Sequence, residues 1–273
     1  MRRLIVLSGI LLVCSSAGSQ GQGAKGGLPS VEELGERSAA IKPALEKLID
    51  FYEERAFELA DGGTIAYRLF RPRDCDPERK YPLVIFLHGK GGIGTENKKH
   101  ISGGNLWGAR VWALPEHQDK HPCFVLAPQY APRGDRLRSD RSPALKSLID
   151  QVTEEFNIDQ KRLYITGQSM GGMGTWSAIA SYPDLFAAAV PVCGRGNTSR
   201  AGAIVEGKVA VWAFHGAKDG TVKVSGSREM IAAMKEAGGN PRYTEYPDVM
   251  HASWLGAYTD PELLDWLFSQ RRN

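Results

Sequence analysis

The 273-residue chain is poor in cysteine, with four, and none of them stands in a C-x-x-C pair. That excludes a zinc ribbon and a disulfide-rich scaffold. Neither H-E-x-x-H nor any Cys/His cluster is present, so no metal is implied, and nothing calls for another cofactor. The phosphate-loop pattern G-x-x-x-x-G-K-[ST] is absent, and so are internal repeats. Charge of one sign is also lacking. Leaving out Arg2 and Arg3 of the 34 basic residues, 32 face 31 acidic ones. Without a basic stripe or interleaved aromatics, nucleic acid is not an expected partner. No apolar run reaches the length of a bilayer span.

A shorter apolar run opens the chain. Arg2 and Arg3 precede Leu4 to Val13, and the small residues "CSSAGSQG" follow. This is the order of a secretory signal peptide, expected over residues 1–17, which makes the mature protein periplasmic or secreted with no transmembrane segment. Bulky Val13 before Cys14 argues against a lipidated N-terminus. After cleavage Cys75, Cys123 and Cys193 remain, which allows one bridge at most. Cys123 and Cys193 fall at expected strand ends and read as small buried apolar residues.

Residues 18–30, rich in Gly, Ser and Gln, have little to bury and read as a flexible leader. From Val31 to Arg55 apolar residues recur at near-helical spacing, predicting an amphipathic helix or two, with Pro43 at a first turn or a break. Residues 18–55 thus precede a catalytic domain expected over 56–273. There "AFEL" and "TIAYRLF" form a predicted hairpin. Strands follow at 83–87, 123–127, 162–166, 187–192, 209–214 and 242–246, alternating with helices at 143–156, 170–182, 225–237 and 261–270. Several strands are apolar without alternation, as in strands buried on both faces. The fold class is α/β: a mostly parallel central sheet, helices on both faces, right-handed crossovers.

Chemistry enters with "YITGQSMGGMGTW", residues 164–176. Gly167-Gln168-Ser169-Met170-Gly171 fits G-x-S-x-G between a strand and a helix, the context of a nucleophile elbow. Two residues to either side of such a serine the chain approaches itself closely, and only glycine relieves the crowding. A serine hydroxyl needs a base, and the base needs an acid to orient it. Of the six histidines only His215 and His251 follow Ser169. His215 closes its own strand, with no acid at a comparable strand end between it and the serine. His251 follows the last strand, and Asp219 follows the strand before. The order Ser169, Asp219, His251 puts all three at strand C-terminal ends along one rim. Asp248 is the alternative acid, and Asp184 reads as a turn residue. "FLHGKGG" supplies a glycine-rich turn after a strand, so the backbone N–H groups of Lys90 and Met170 are the expected oxyanion donors.

These residues resemble the α/β-hydrolases. Within that superfamily the similarity is to an exported, esterase-like "predicted peptidase" group related to the prolyl oligopeptidase catalytic domain, feruloyl and acetyl xylan esterases and polyhydroxyalkanoate depolymerases. It covers about residues 56–273, through "YPLVIFLHGKGGIGTEN", "PCFVLAPQ", "FAAAVPVCG", "VWAFHGAKDGTVKVSGS" and "YTEYPDVMHASW" among others. The resemblance implies a serine hydrolase acting through Ser169, Asp219 and His251. The chain departs from similar proteins after "LAPQ", where "YAPRGDRLRSDRSP" replaces a tryptophan-bearing segment.

The stretch between the strands ending near Val192 and starting near Val209 is too short for a cap domain, so an open site is expected. Trp107, Gln168 and Trp254 are the substrate-binding candidates, the two tryptophans flanking a sugar or an aromatic acyl group. Arg133, Arg136, Arg138 and Arg141, against Asp135 and Asp140, raise a preference for anionic polysaccharide esters. The expected partner is an ester substrate, polysaccharide-linked in the fuller reading. A serine peptidase and a catalytically silent binding module are the other readings left open.

Overall fold

The computed structural model describes residues 27–59, 62–131 and 143–273. The expected signal peptide, the start of the leader and the arginine-bearing run 133–141 lie outside the described residues. Among the described residues eight strands are present: β1 Tyr52–Glu58, β2 Thr64–Phe70, β3 Tyr81–Leu87, β4 Phe124–Pro128, β5 Ile158–Gln168, β6 Ala188–Val192, β7 Ala210–Gly216 and β8 Arg242–Tyr246. The α-helices are α1 Val31–Lys47, α2 Leu106–Arg110, α3 Pro115–Lys120, α4 Pro143–Glu155, α5 Met170–Ser181, α6 Ala201–Glu206, α7 Ser225–Glu236, α8 Trp254–Ala257 and α9 Leu263–Ser269.

The strands form one sheet in the order β1-β2-β4-β3-β5-β6-β7-β8. β2 runs antiparallel to both neighbours, and the pairs from β4 to β8 are parallel. Every residue of β3, β4 and β6 is buried, which explains why these strands read as unbroken apolar runs. Successive side chains of β3 feed opposite faces. Leu83, Ile85 and Leu87 join a core with α4, α5 and α7, whereas Val84 and Phe86 join one with α1, α2 and α9. Both faces are therefore dry, and the strand C-terminal ends are left as the free edge on which side chains meet.

Two expectations need correction. The predicted helix to Arg55 stops at Lys47, a 3-10 turn covers Leu48–Phe51, and Tyr52 begins β1. Cross-strand pairing decides it: Tyr52 lies opposite Phe70, ring centroids 5.4 Å apart, and both are buried. The boundary expected at residue 56 thus cuts through a strand. Pro43 neither opens nor breaks α1 but sits inside it. Pro43 and Ala39, four residues earlier, are both exposed, so water can take the carbonyl that the missing N–H leaves free. The true N-cap is Ser30. Its Oγ accepts from Glu33 N at 3.2 Å, while Glu33 Oε2 accepts from Ser30 N at 2.7 Å. Leu34, Leu45 and Leu48 bury α1 and the turn after it in the core they share with Trp112 and Tyr258.

Candidate active site

Ser169 stands alone between the end of β5 and the start of α5, at φ 56° and ψ −115°. A serine pays for positive φ in strain, of order 1–3 kcal/mol, and surrounding packing has to hold it there. That packing is backbone on backbone. A Cβ on Gly171 would lie 1.8 Å from Leu87 O, and one on Gly167 2.4 Å from Gly171 O. Gly172 and Gly194 repeat the device one layer behind, since a Cβ on Gly194 would meet Gly172 C at 2.4 Å. Ser169 N donates to Val192 O at 2.9 Å, fixing the tip against β6.

The two loops beyond β7 and β8 are tied together before any side chain is considered. Ala217 N donates to Tyr246 O at 2.9 Å and Lys218 N to Val249 O at 3.0 Å. Gly216 is pressed against the Met250 carbonyl, where a Cβ would come within 2.2 Å. This clamp carries Asp219 and His251 to the serine. His251 Nε2 lies 2.9 Å from Ser169 Oγ, and His251 Nδ1 lies 2.7 Å from Asp219 Oδ2. Asp219 Oδ1 accepts from Thr221 N at 2.8 Å and Val222 N at 2.9 Å. Burial would raise the Asp219 pKa, but the bond from His251 and these two amides outweigh it and hold the carboxyl below its ordinary value. An ionised acid, a largely buried imidazole and a hydroxyl on a strained turn therefore form one hydrogen-bonded line.

A cavity of about 480 Å³ opens over that line, bounded by Lys90, Gly104, Gln168, Ser169, Thr221 and Trp254 among others. Lys90 opens a one-turn 3-10 helix that follows β3. The turn is held from below: Gly89 N donates to Asn105 Oδ1 at 2.8 Å, and Tyr130 N donates to His88 Nε2 at 2.9 Å. Since His88 Nε2 accepts, Nδ1 carries the hydrogen and donates to Gly89 O at 2.7 Å. Met170 is the first residue of α5, so its amide has no carbonyl a turn earlier in the helix to bond.

A model of the Dienelactone hydrolase family matches residues 128–255, the segment that holds Ser169, Asp219 and His251. A solved thermostable esterase is 42% identical with a TM-score of 0.76, over 82% of this chain and 64% of that one. The chain has the α/β-hydrolase fold. Poly(3-hydroxyalkanoate) depolymerase C of Paucimonas lemoignei is 31% identical over 41% of this chain, which spans 28% of that enzyme. Acetylxylan esterase A of Emericella nidulans is 38% identical over 19% of this chain and 17% of its own length. The chain thus spans much less than two thirds of these curated relatives.

The remaining candidates divide. In this α/β-hydrolase fold Trp254 borders the cavity, its ring perpendicular to that of His251 with centroids 5.4 Å apart. Gln168 borders it too: Nε2 donates to Gly104 O at 2.8 Å and Oε1 is buried with no partner. Trp107 does not line it. Its indole N–H donates 3.2 Å to Ser38 O, so it staples α2 to α1. Asp248 pairs with Lys218 at 2.8 Å on the surface, and Asp184 meets Arg272 at 3.3 Å, both away from the serine. Cys123 and Cys193 are buried free thiols and Cys75 is an exposed one. Among the described residues one set of metal-capable donors converges, Cys193, Asp219 and His251. There the imidazole and carboxylate are already bonded to each other, and burial pushes the Cys193 thiol up to about 12. Among the described residues no helix is long and apolar enough to cross a membrane.

Sequence reasoning missed Asn105, His88 and the Gly172–Gly194 contact. His88 sits inside the quoted "FLHGKGG", where a histidine at a buried strand end was a usable signal. Asn105 comes from a separate loop and carried none.

Proposed function

We propose that this chain is an exported carboxylic-ester hydrolase that works through an acyl-enzyme on Ser169. The observation that carries the reading is the unbroken line from Ser169 Oγ through His251 to Asp219, at 2.9 and 2.7 Å. As Oγ attacks the ester carbonyl, His251 Nε2 takes its proton, and Asp219 holds the ring in the required tautomer and stabilises the imidazolium. The oxyanion forms toward the amides of Met170 and Lys90, and losing one such donor typically costs about 3 kcal/mol. Collapse expels the alcohol, which receives the proton from His251. Water then enters and attacks the acyl carbon while giving a proton to the same nitrogen; collapse breaks the acyl–Oγ bond, releases the acid and returns that proton from His251 to Ser169 Oγ.

The substrate proposed is an ester on an acylated or feruloylated polysaccharide. Support comes from a cavity of about 480 Å³ over the serine, a tryptophan ring beside the imidazole, and the esterase names of the relatives. Export rests on residues 1–17 alone. A panel of short p-nitrophenyl esters, methyl ferulate, acetylated xylan and peptide amides tests the assignment, with Ser169→Ala as control. Ester turnover that disappears in the variant is the expected result. Preferential cleavage of the peptide amides would replace the esterase reading with a peptidase one.

A further inference from the structure

His215, set aside as the base because it closes its own strand, does not become an idle core residue. Its imidazole is fully buried at the end of β7, four residues before Asp219. Nε2 lies 2.9 Å from Val222 O and 3.2 Å from Asp219 Oδ2. A carbonyl and an ionised carboxylate only accept, so this nitrogen carries a hydrogen. Nδ1 lies 2.8 Å from Ser227 Oγ, which in turn lies 2.9 Å from Gly194 O. The single hydroxyl hydrogen has two acceptors there, and whichever it serves, Nε2 keeps its own.

We propose that His215 is a positioning residue that grips Asp219 from behind, and this rests on the hydrolase reading above. The carboxylate receives three hydrogen bonds, from Thr221 N and Val222 N on Oδ1 and from His251 Nδ1 on Oδ2, while His215 Nε2, whose hydrogen serves Val222 O, stands 3.2 Å from the same Oδ2. Both imidazoles thus face one oxygen. The polarised ring of His215 limits the carboxylate's rotation and offsets part of its charge. The anchor reaches back through Ser227 on α7 to Gly194, which packs on Gly172 behind the serine. The grip thus joins the acid loop to the nucleophile turn by a route that avoids the cavity. The charged and titratable groups facing His215 are Asp219 on its own loop, His251 from the loop after β8, and Glu245 on β8. Glu245 is bonded to Arg228 at 2.5 and 2.8 Å, which leaves Asp219 as the carboxylate that approaches the His215 ring among the described residues.

The direction follows from this arrangement. Without that imidazole the carboxylate is held on Oδ1 alone, and its bond to His251 Nδ1 loses its fixed geometry. His215→Phe fills the volume without a polar group, whereas His215→Gln returns an N–H near the Nε2 position. The experiment records the downfield proton NMR signal of the His251 Nδ1–H bonded to Asp219, with kcat and KM on p-nitrophenyl acetate and thermal melts alongside. For His215→Phe the expected result is that signal displaced or broadened by exchange. With it goes a kcat lowered about tenfold or more at little-changed KM. The Gln variant should recover part of both. Should the Phe variant not fold, Ser227→Ala, which removes the ring's anchor, should give the same changes to a smaller degree. A signal unchanged in each folded variant, with only the melting temperature lowered, overturns the proposal. If the signal changes but wild type hydrolyses no ester, the grip on Asp219 stands and the hydrolase reading falls.

Discussion

Asp219 divides its two oxygens between different tasks, and this fixes what its neutral analogue would do. Oδ1 is held by two amides, so in Asp219→Asn the carbonyl oxygen stays there and the NH₂ group turns toward His251. His251 Nδ1 must then accept, its hydrogen moves to Nε2, and the nitrogen facing Ser169 is no longer a base. The expected loss in kcat is about 10⁴-fold at nearly unchanged KM. Steady-state kinetics on a short-chain ester check this, and a loss of tenfold or less would mean that Asp219 does not set the tautomer. The residues of this line were legible because chain order and strand-end position select them without coordinates. The partners that hold them, Asn105 under the turn after β3 and Ser227 behind His215, were not. Each comes from a distant segment and contributes one ordinary polar side chain, which leaves no pattern in sequence.

At the scale of the elements, the buried strands announced themselves as unbroken apolar runs, and β5, the serine turn and α5 by a glycine spacing with a steric cause. The N-terminal segment was harder to read. Periodicity runs smoothly from α1 past Lys47, and only the pairing of Tyr52 with Phe70 turns the chain into a strand. Trp107 was misleading for a related reason: its place in the insertion between His88 and Pro122 says nothing of the helix that α2 meets in space. Because its indole N–H holds Ser38 O, Trp107→Phe should cost about 1 kcal/mol of stability through the lost hydrogen bond and leave KM unchanged. Urea denaturation beside kinetics separates the two outcomes. A raised KM at unchanged stability would return Trp107 to the substrate.

The whole molecule carries a weakness toward acid that lies outside its chemistry. His88 and His100 are fully buried, with rings 6.2 Å apart, and neither nitrogen of His100 has a partner. Burial lowers His88 from 6.5 to about 4 and His100 from 6.5 to about 3. In the unfolded chain both protonate near their ordinary value. Between pH 6.5 and 4 the unfolded state therefore binds more protons, and stability, full above that window, falls as pH falls through it. Two such sites give a loss of roughly 2–3 kcal/mol at pH 5.5. Denaturation midpoints at pH 7.5 and 5.5 measure it, and equal midpoints would show that the pair is not buried neutral. The fold thus surrounds one rim of strand ends with backbone clamps on the serine, acid and imidazole loops, and the central claim is that this rim activates Ser169. Its most direct test is reaction with a fluorophosphonate probe, followed by intact mass and peptide mapping. One adduct per chain on Ser169, lost in Ser169→Ala and strongly slowed in His251→Ala, is the predicted result. An unmodified wild-type chain, or an adduct that forms equally fast without His251, would contradict it.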